Sequence, residues 1–199
     1  MDTLNLFETL WKLVDSPVEA FRKIVLAKHK NYVVVLSGFF GVAFVFAFLW
    51  FHQFGGRFDT LLSILSFGLL LGPVVGIGFL FVLSTVIYTL LRRFRIPMRF
   101  RNTLAVCSYA CAPIVFSLFL VFPLELMTFG MDMFTSQPPL SILNPTSFVL
   151  FLLLDGLAVL WFLLLLSFGV HVLTGFQLLK SGAIALGSTA LTAVPFFLV

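Results

Sequence analysis

Asp155 is the residue of this sequence with the most chemistry to explain. It is the one acid in "SFVLFLLLDGLAVLWFLLLLSF", residues 147–168. An ionisable group held among apolar side chains must face a helix bundle, a water-filled cavity or a partner. It then serves either as a hydrogen-bonded lock between helices or as a relay for protons or ions. By depth along the chain, Glu125 and His52 are its nearest candidate partners. Two further sets are weaker. Cys107 and Cys111 lie four apart on one helix face, a poor geometry for a disulfide and a weak one for metal. His171 falls at similar depth and would complete a Cys-Cys-His set. Ser108 and His171 are the single nucleophile–base pair that depth allows. No catalytic or phosphate-binding motif accompanies them. The sequence therefore predicts a non-enzymatic protein with no cofactor and no metal.

A third set is basic. In "LLRRFRIPMRFRNTL" (90–104) five arginines, Arg92, Arg93, Arg95, Arg99 and Arg101, crowd into ten positions. They either fix orientation across a membrane or form a patch for anionic lipid or an acidic partner. Each basic residue near a charged leaflet contributes about 1 kcal/mol. Pro97 divides the cluster and suits a turned loop.

The elements that must position these residues follow from composition. Of 199 residues 61% are hydrophobic, 27 of them Phe, and only 10% are charged. That leaves too little polarity for a water-facing surface. A bilayer core of about 30 Å takes about 20 helical residues, and five runs qualify: 32–51, 62–91, 102–124, 147–174 and 181–199. The runs do not alternate in hydropathy, which argues against a β-barrel. The fold class is an all-α integral membrane bundle of five spans, 32–199, preceded by a cytoplasmic or interfacial segment, 1–31. The first run starts too late for a cleavable signal peptide. With the N-terminus inside and the C-terminus outside, the inner segments hold Lys12, Arg22, Lys23, Lys28, Lys30, the five arginines and Lys180. The outer segments hold only Arg57, and basic residues mark the cytoplasmic side.

Local signals refine this plan. Residues 3–15 form an amphipathic pattern, with Leu6, Phe7, Leu10, Trp11, Leu13 and Val14 opposite Asn5, Glu8, Thr9, Lys12 and Asp15. That suits a helix under the bundle or one in the headgroup layer. "SPVEAFRKI" (16–24) has Ser16, Pro17 and Glu19 where a capping box needs them. In the second run Gly68, Gly72 and Gly76 recur every four residues, a face for close helix packing within the chain or between two copies. Pro73 among them predicts a kink. Residues 135–145 read as an irregular external loop. No internal repeat is visible, which argues against an inverted-repeat transporter.

"FRNTLAVCSYACAPIVFSLF" resembles the YIP domain family of Ypt/Rab-interacting-type membrane proteins, through Phe100, Tyr109 and Pro113. "SPVEAFRKI" resembles the proline-led N-terminal helix of prokaryotic members. "WFLLLLSFGVHVLTGFQLLKSGAIAL" resembles the fourth span, loop and fifth span, through Trp161, Lys180, Gly182 and Ala183. Two departures stand out: about 31 residues precede the first span, and the Asp-Leu-Tyr-Gly-Pro signature is reduced to Gly72-Pro73. Both put a Rab-type GTPase partner in doubt. The resemblance implies a prokaryotic-like member, multi-pass in a bacterial plasma (inner) membrane. Its expected role is a membrane-organising scaffold or an accessory subunit of a membrane assembly. The alternative is a small transporter or lipid-handling protein using Asp155. Expected partners are membrane lipids and a membrane protein or a second copy, with no nucleic acid.

Overall fold

The computed structural model describes residues 6–27, 32–137 and 139–197. Lys28 and Lys30, residues 3–5 of the first expected helix and the last two residues of the fifth expected span lie outside the described residues. Among those described the chain is all helical. Helices α1 (Leu6–Asp15) and α2 (Pro17–Leu26) precede α3 (Val33–Phe51) and the long α4 (Leu61–Arg93). Then follow α5 (Phe100–Ala110), α6 (Ala112–Phe129), the single turn α7 (Leu140–Leu143), α8 (Pro145–Thr174) and α9 (Leu178–Phe197).

Five segments are long and apolar enough to cross a membrane: Val33–Phe51, Leu61–Arg93, Phe100–Phe134, Pro145–Thr174 and Leu178–Phe196. At about 1.5 Å per residue, α4 exceeds the hydrocarbon thickness by well over a turn. It continues through Pro73 without interruption. The third segment breaks at Cys111, between α5 and α6. Pro113 causes this: it has no amide hydrogen to give to Tyr109, four residues back. The Cys111 amide instead donates to the Ser108 carbonyl at 3.3 Å. The 135–145 stretch is less irregular than its composition predicts, since it contains α7.

The closest pairing is between α3 and α4. Gly72, Gly76 and Gly41 bring the two backbones so near that a Cβ built on Gly41 would lie 2.0 Å from the Gly72 carbonyl oxygen. The glycine face of α4 therefore lies inside the chain, against α3. A hydroxyl contact adds to this side of the bundle: Ser37 Oγ of α3 lies 3.0 Å from Ser108 Oγ of α5. Such interhelical contacts in lipid contribute about 0.6 kcal/mol.

Helices α1 and α2 are docked on the bundle through Leu13, Ala20, Phe21 and Ile24, all buried. The capping box expected at Ser16 does not form. Ser16 makes no side-chain cap, and its hydroxyl donates to Asp15 at 3.0 Å. Pro17 at the first turn and the packing of Phe21 hold α2 in place of the cap.

Two ends of the bundle are defined by loop contacts. At one end the ring of Phe94 meets that of Phe176 edge-on at 5.8 Å. At the other, the backbone near Gly55 touches that of Phe134, and His52 Nε2 lies 3.4 Å from the Phe196 carbonyl.

Candidate functional site

Two sites emerge, one at each level of the bundle. The first is a cavity of about 330 Å³ between α3, α6 and α8. It lies towards the end that carries Phe51 and Met133. Its lining is apolar and aromatic, with Phe46, Trp50, Phe122 and Phe151 among the walls, and besides the Trp50 indole it holds three polar side chains: Ser117, Glu125 and Asp155. Ser117 Oγ donates to Asp155 Oδ1 at 2.6 Å. Glu125, only 7% exposed, faces Asp155 within hydrogen-bonding reach. No lining residue is Lys, Arg or His. Of the two partners considered for Asp155, the structure supplies Glu125, while His52 turns to the Phe196 carbonyl.

Helix geometry explains the cluster. Asp155 lies about 15 Å along α8 from Pro145. Ser117 and Glu125 are eight residues apart on α6, near two full turns, so both project towards α8. Leu118, Phe122 and Phe129 of α6 fill the space around them. Nothing in the sequence marks Ser117, because a lone Ser in an apolar run carries no signal of its own.

The second site is the loop between α4 and α5. Arg92, Arg93, Arg95, Arg99 and Arg101 are all exposed. None is paired with an acid; the ion pair among the described residues is Lys12–Glu8 at 2.7 Å. That pair holds the Glu8 carboxyl below its ordinary range. Lys12, within hydrogen-bonding reach, also holds the Lys23 ammonium below its own.

Arg95 sits in the left-handed region, φ 59°. It ends α4 as the reversing residue: the Arg95 amide donates to Arg92 O at 3.0 Å and the Ile96 amide to Leu91 O at 3.4 Å. Glycine is the usual residue at this position, and a side chain there costs about 1–2 kcal/mol. The chain keeps an arginine where glycine would fold better. Arg95→Gly should therefore raise thermal stability by roughly 0.5–1 kcal/mol while removing one charge of the cluster. A melt in detergent checks this, and a lower midpoint would contradict the strain.

The other sequence candidates separate. Cys107 and Cys111 are free and buried, and Cys111 Sγ donates to the Cys107 carbonyl at 3.2 Å. His171 Nδ1 is engaged by the Phe176 carbonyl, and Ser108 by Leu104 O at 2.9 Å and Ser37. Among the described residues no three His, Cys, Asp or Glu side chains converge as metal ligands. Tyr109 is fully buried one turn before Pro113, with no hydrogen-bond partner for its hydroxyl among the described residues. Tyr109 and Pro113 flank the break that turns α5 into α6.

Five long apolar spans and a polar cluster among them define an integral, multi-pass membrane protein. The family model of the Yip1 domain matches residues 11–199, and the chain belongs to the Yip1 domain family. No curated protein and no solved structure matches it.

Proposed function

We propose that this protein is a non-enzymatic organiser of a membrane assembly, a scaffold or accessory subunit that docks its partner through the arginine loop. The observation that carries this reading is the exposed cluster Arg92, Arg93, Arg95, Arg99 and Arg101, unpaired within the described residues. Orientation alone would be satisfied by charges with no particular backbone, whereas this loop holds Arg95 in a costly conformation. We place the loop on the inner face of a bacterial plasma membrane, with the N-terminus inside and the C-terminus outside, by the bias of basic residues. Helix α1 would then lie at the same face, with Trp11 and Val14 exposed to the headgroup layer.

Phe94, 56% exposed beside the arginines, is the position for a test. A photoreactive phenylalanine at 94 in native membranes should yield a reproducible adduct to one membrane protein. Replacing the five arginines by Gln should reduce that adduct at least several-fold at unchanged protein level. Lipid adducts alone would overturn the scaffold reading and leave the cluster as a headgroup site. A second reading, lipid handling, is favoured by the cavity beside Asp155.

A further inference from the structure

We propose that the cavity between α3, α6 and α8 binds an apolar ammonium, with Glu125 and Asp155 as its counter-charges. This goes beyond the arginine-loop reading and does not depend on it.

Two carboxyl groups offer many acceptor sites, and ionised carboxylates donate nothing. Ser117 supplies one O–H, and it is spent on Asp155 at 2.6 Å. Glu125, 7% exposed, has the Asp155 carboxyl within hydrogen-bonding reach, and both acids line the cavity. Two acids facing each other in an apolar setting are costly unless a proton or a cation comes between them. A proton shared between the two carboxyls would answer part of that cost. It would not explain why a cavity of about 330 Å³ remains beside them, since α6 and α8 could close on a protonated pair.

The walls narrow the occupant. A primary ammonium brings three donors and a positive charge to two carboxyls and a hydroxyl. Aromatic faces at Phe46, Trp50, Phe122 and Phe151 suit both an ammonium, through cation–π attraction, and the apolar body behind it. An anionic or zwitterionic phosphate headgroup would set its phosphate against two acids with no basic residue to offset them. A bare divalent cation would find too few oxygens, since calcium takes six to eight.

The mouth lies between α3 and α8, where Ala47, Phe51, Leu152, Gly156 and Val159 are exposed. In a bilayer these positions face lipid, so the ligand enters sideways. Gly156 lines the cavity with open space at its Cβ position, where a built Cβ meets nothing within 4 Å, so a larger side chain has room to stand in the mouth.

The test uses the full chain in phosphatidylcholine nanodiscs. The probes are a twelve-carbon primary amine carrying a diazirine, and the alcohol of equal length with the same diazirine. The amine should label peptides of α6 and α8 at least tenfold more than the alcohol. Glu125→Gln combined with Asp155→Asn should remove that excess. Gly156→Leu, which keeps both carboxyls and fills the mouth, should remove it too, and it decides the matter if the double variant does not fold. Equal labelling by amine and alcohol would overturn the proposal. So would an amine excess that persists in the folded double variant or in Gly156→Leu.

Discussion

Gly76→Leu should prevent a stable protein from accumulating, and Gly76→Ala should lower its melting point sharply in detergent. A Cβ at Gly76 would lie 2.1 Å from the Ser37 carbonyl oxygen and 2.5 Å from both Cα and N of Gly41. Those are backbone atoms of α3, and they cannot rotate aside as a side chain can. The two helices would have to part along their length. Overpacking a core costs about 1–3 kcal/mol and more when backbone must move; here the loss should reach the top of that range even for alanine. In lipid the cost is not recovered elsewhere, because helix association there rests on close packing rather than on exclusion of water. Gly78 is the internal control. It lies two residues on in the same helix, and a Cβ there meets nothing within 4 Å. Gly78→Ala should be neutral or stabilising by roughly 0.5–1 kcal/mol. Gly68→Ala should fall between the two, since its Cβ would press on the Phe46 ring, a side chain that can shift. If Gly76→Ala and Gly78→Ala melt together, the α3–α4 contact is not the close one described.

How far such contacts were legible depends on whether one helix or two must be read. The period of four in Gly68, Gly72 and Gly76 is visible in α4 alone. Gly41 carries an equal share of the contact, yet in "SGFFGVAF" it has a spacing of three from Gly38 and announces nothing. The same division runs through the intramembrane cluster. Asp155 stands out because a charge in an apolar run is expensive. Glu125 could be ranked as its partner by depth. Ser117 could not, because only the facing of α6 and α8 gives a hydroxyl there a purpose. Pro113 marks the break at Cys111 in principle, but a proline in an apolar run is also tolerated within one helix, so the third span reads as a single rod from 102 to 124. The arginine cluster was fully legible as composition. What the sequence could not hold is the left-handed backbone at Arg95, because arginine is not a residue that signals it.

The other large effect is expected at Phe21, where the helices before the first span meet the bundle. Phe21 is fully buried, with its ring about a van der Waals contact from where a Cβ on Gly169 of α8 would stand, 3.4–3.5 Å. Ile24 and Ala20 are buried beside it, and Leu13 of α1 as well. Phe21→Ala removes a ring from a site closed by α2, α5 and α8, and such truncations cost about 3–5 kcal/mol. The five spans remain held by their own contacts and by lipid, so the loss should be local. Helices α1 and α2 should detach while the rest stays folded. Limited trypsin treatment of the protein in nanodiscs should then cut at Arg22 and Lys23 much faster than in the parent chain, with the span peptides unchanged. Leu26→Ala, at an 84% exposed position of the same helix, should leave the cutting rate where it was. An unchanged rate in Phe21→Ala would mean that α2 is not anchored by this side chain. The consequence reaches the arginine loop. Helix α5, which α2 packs against, begins at Phe100, between Arg99 and Arg101. Freeing α2 removes one support of α5 and loosens the frame on which the guanidiniums are displayed. If the loop docks a partner as proposed, a probe at Phe94 should capture it less well in Phe21→Ala, although no arginine has been touched and the charge is the same. A loss of capture by packing alone would separate a shaped docking surface from a mere excess of positive charge.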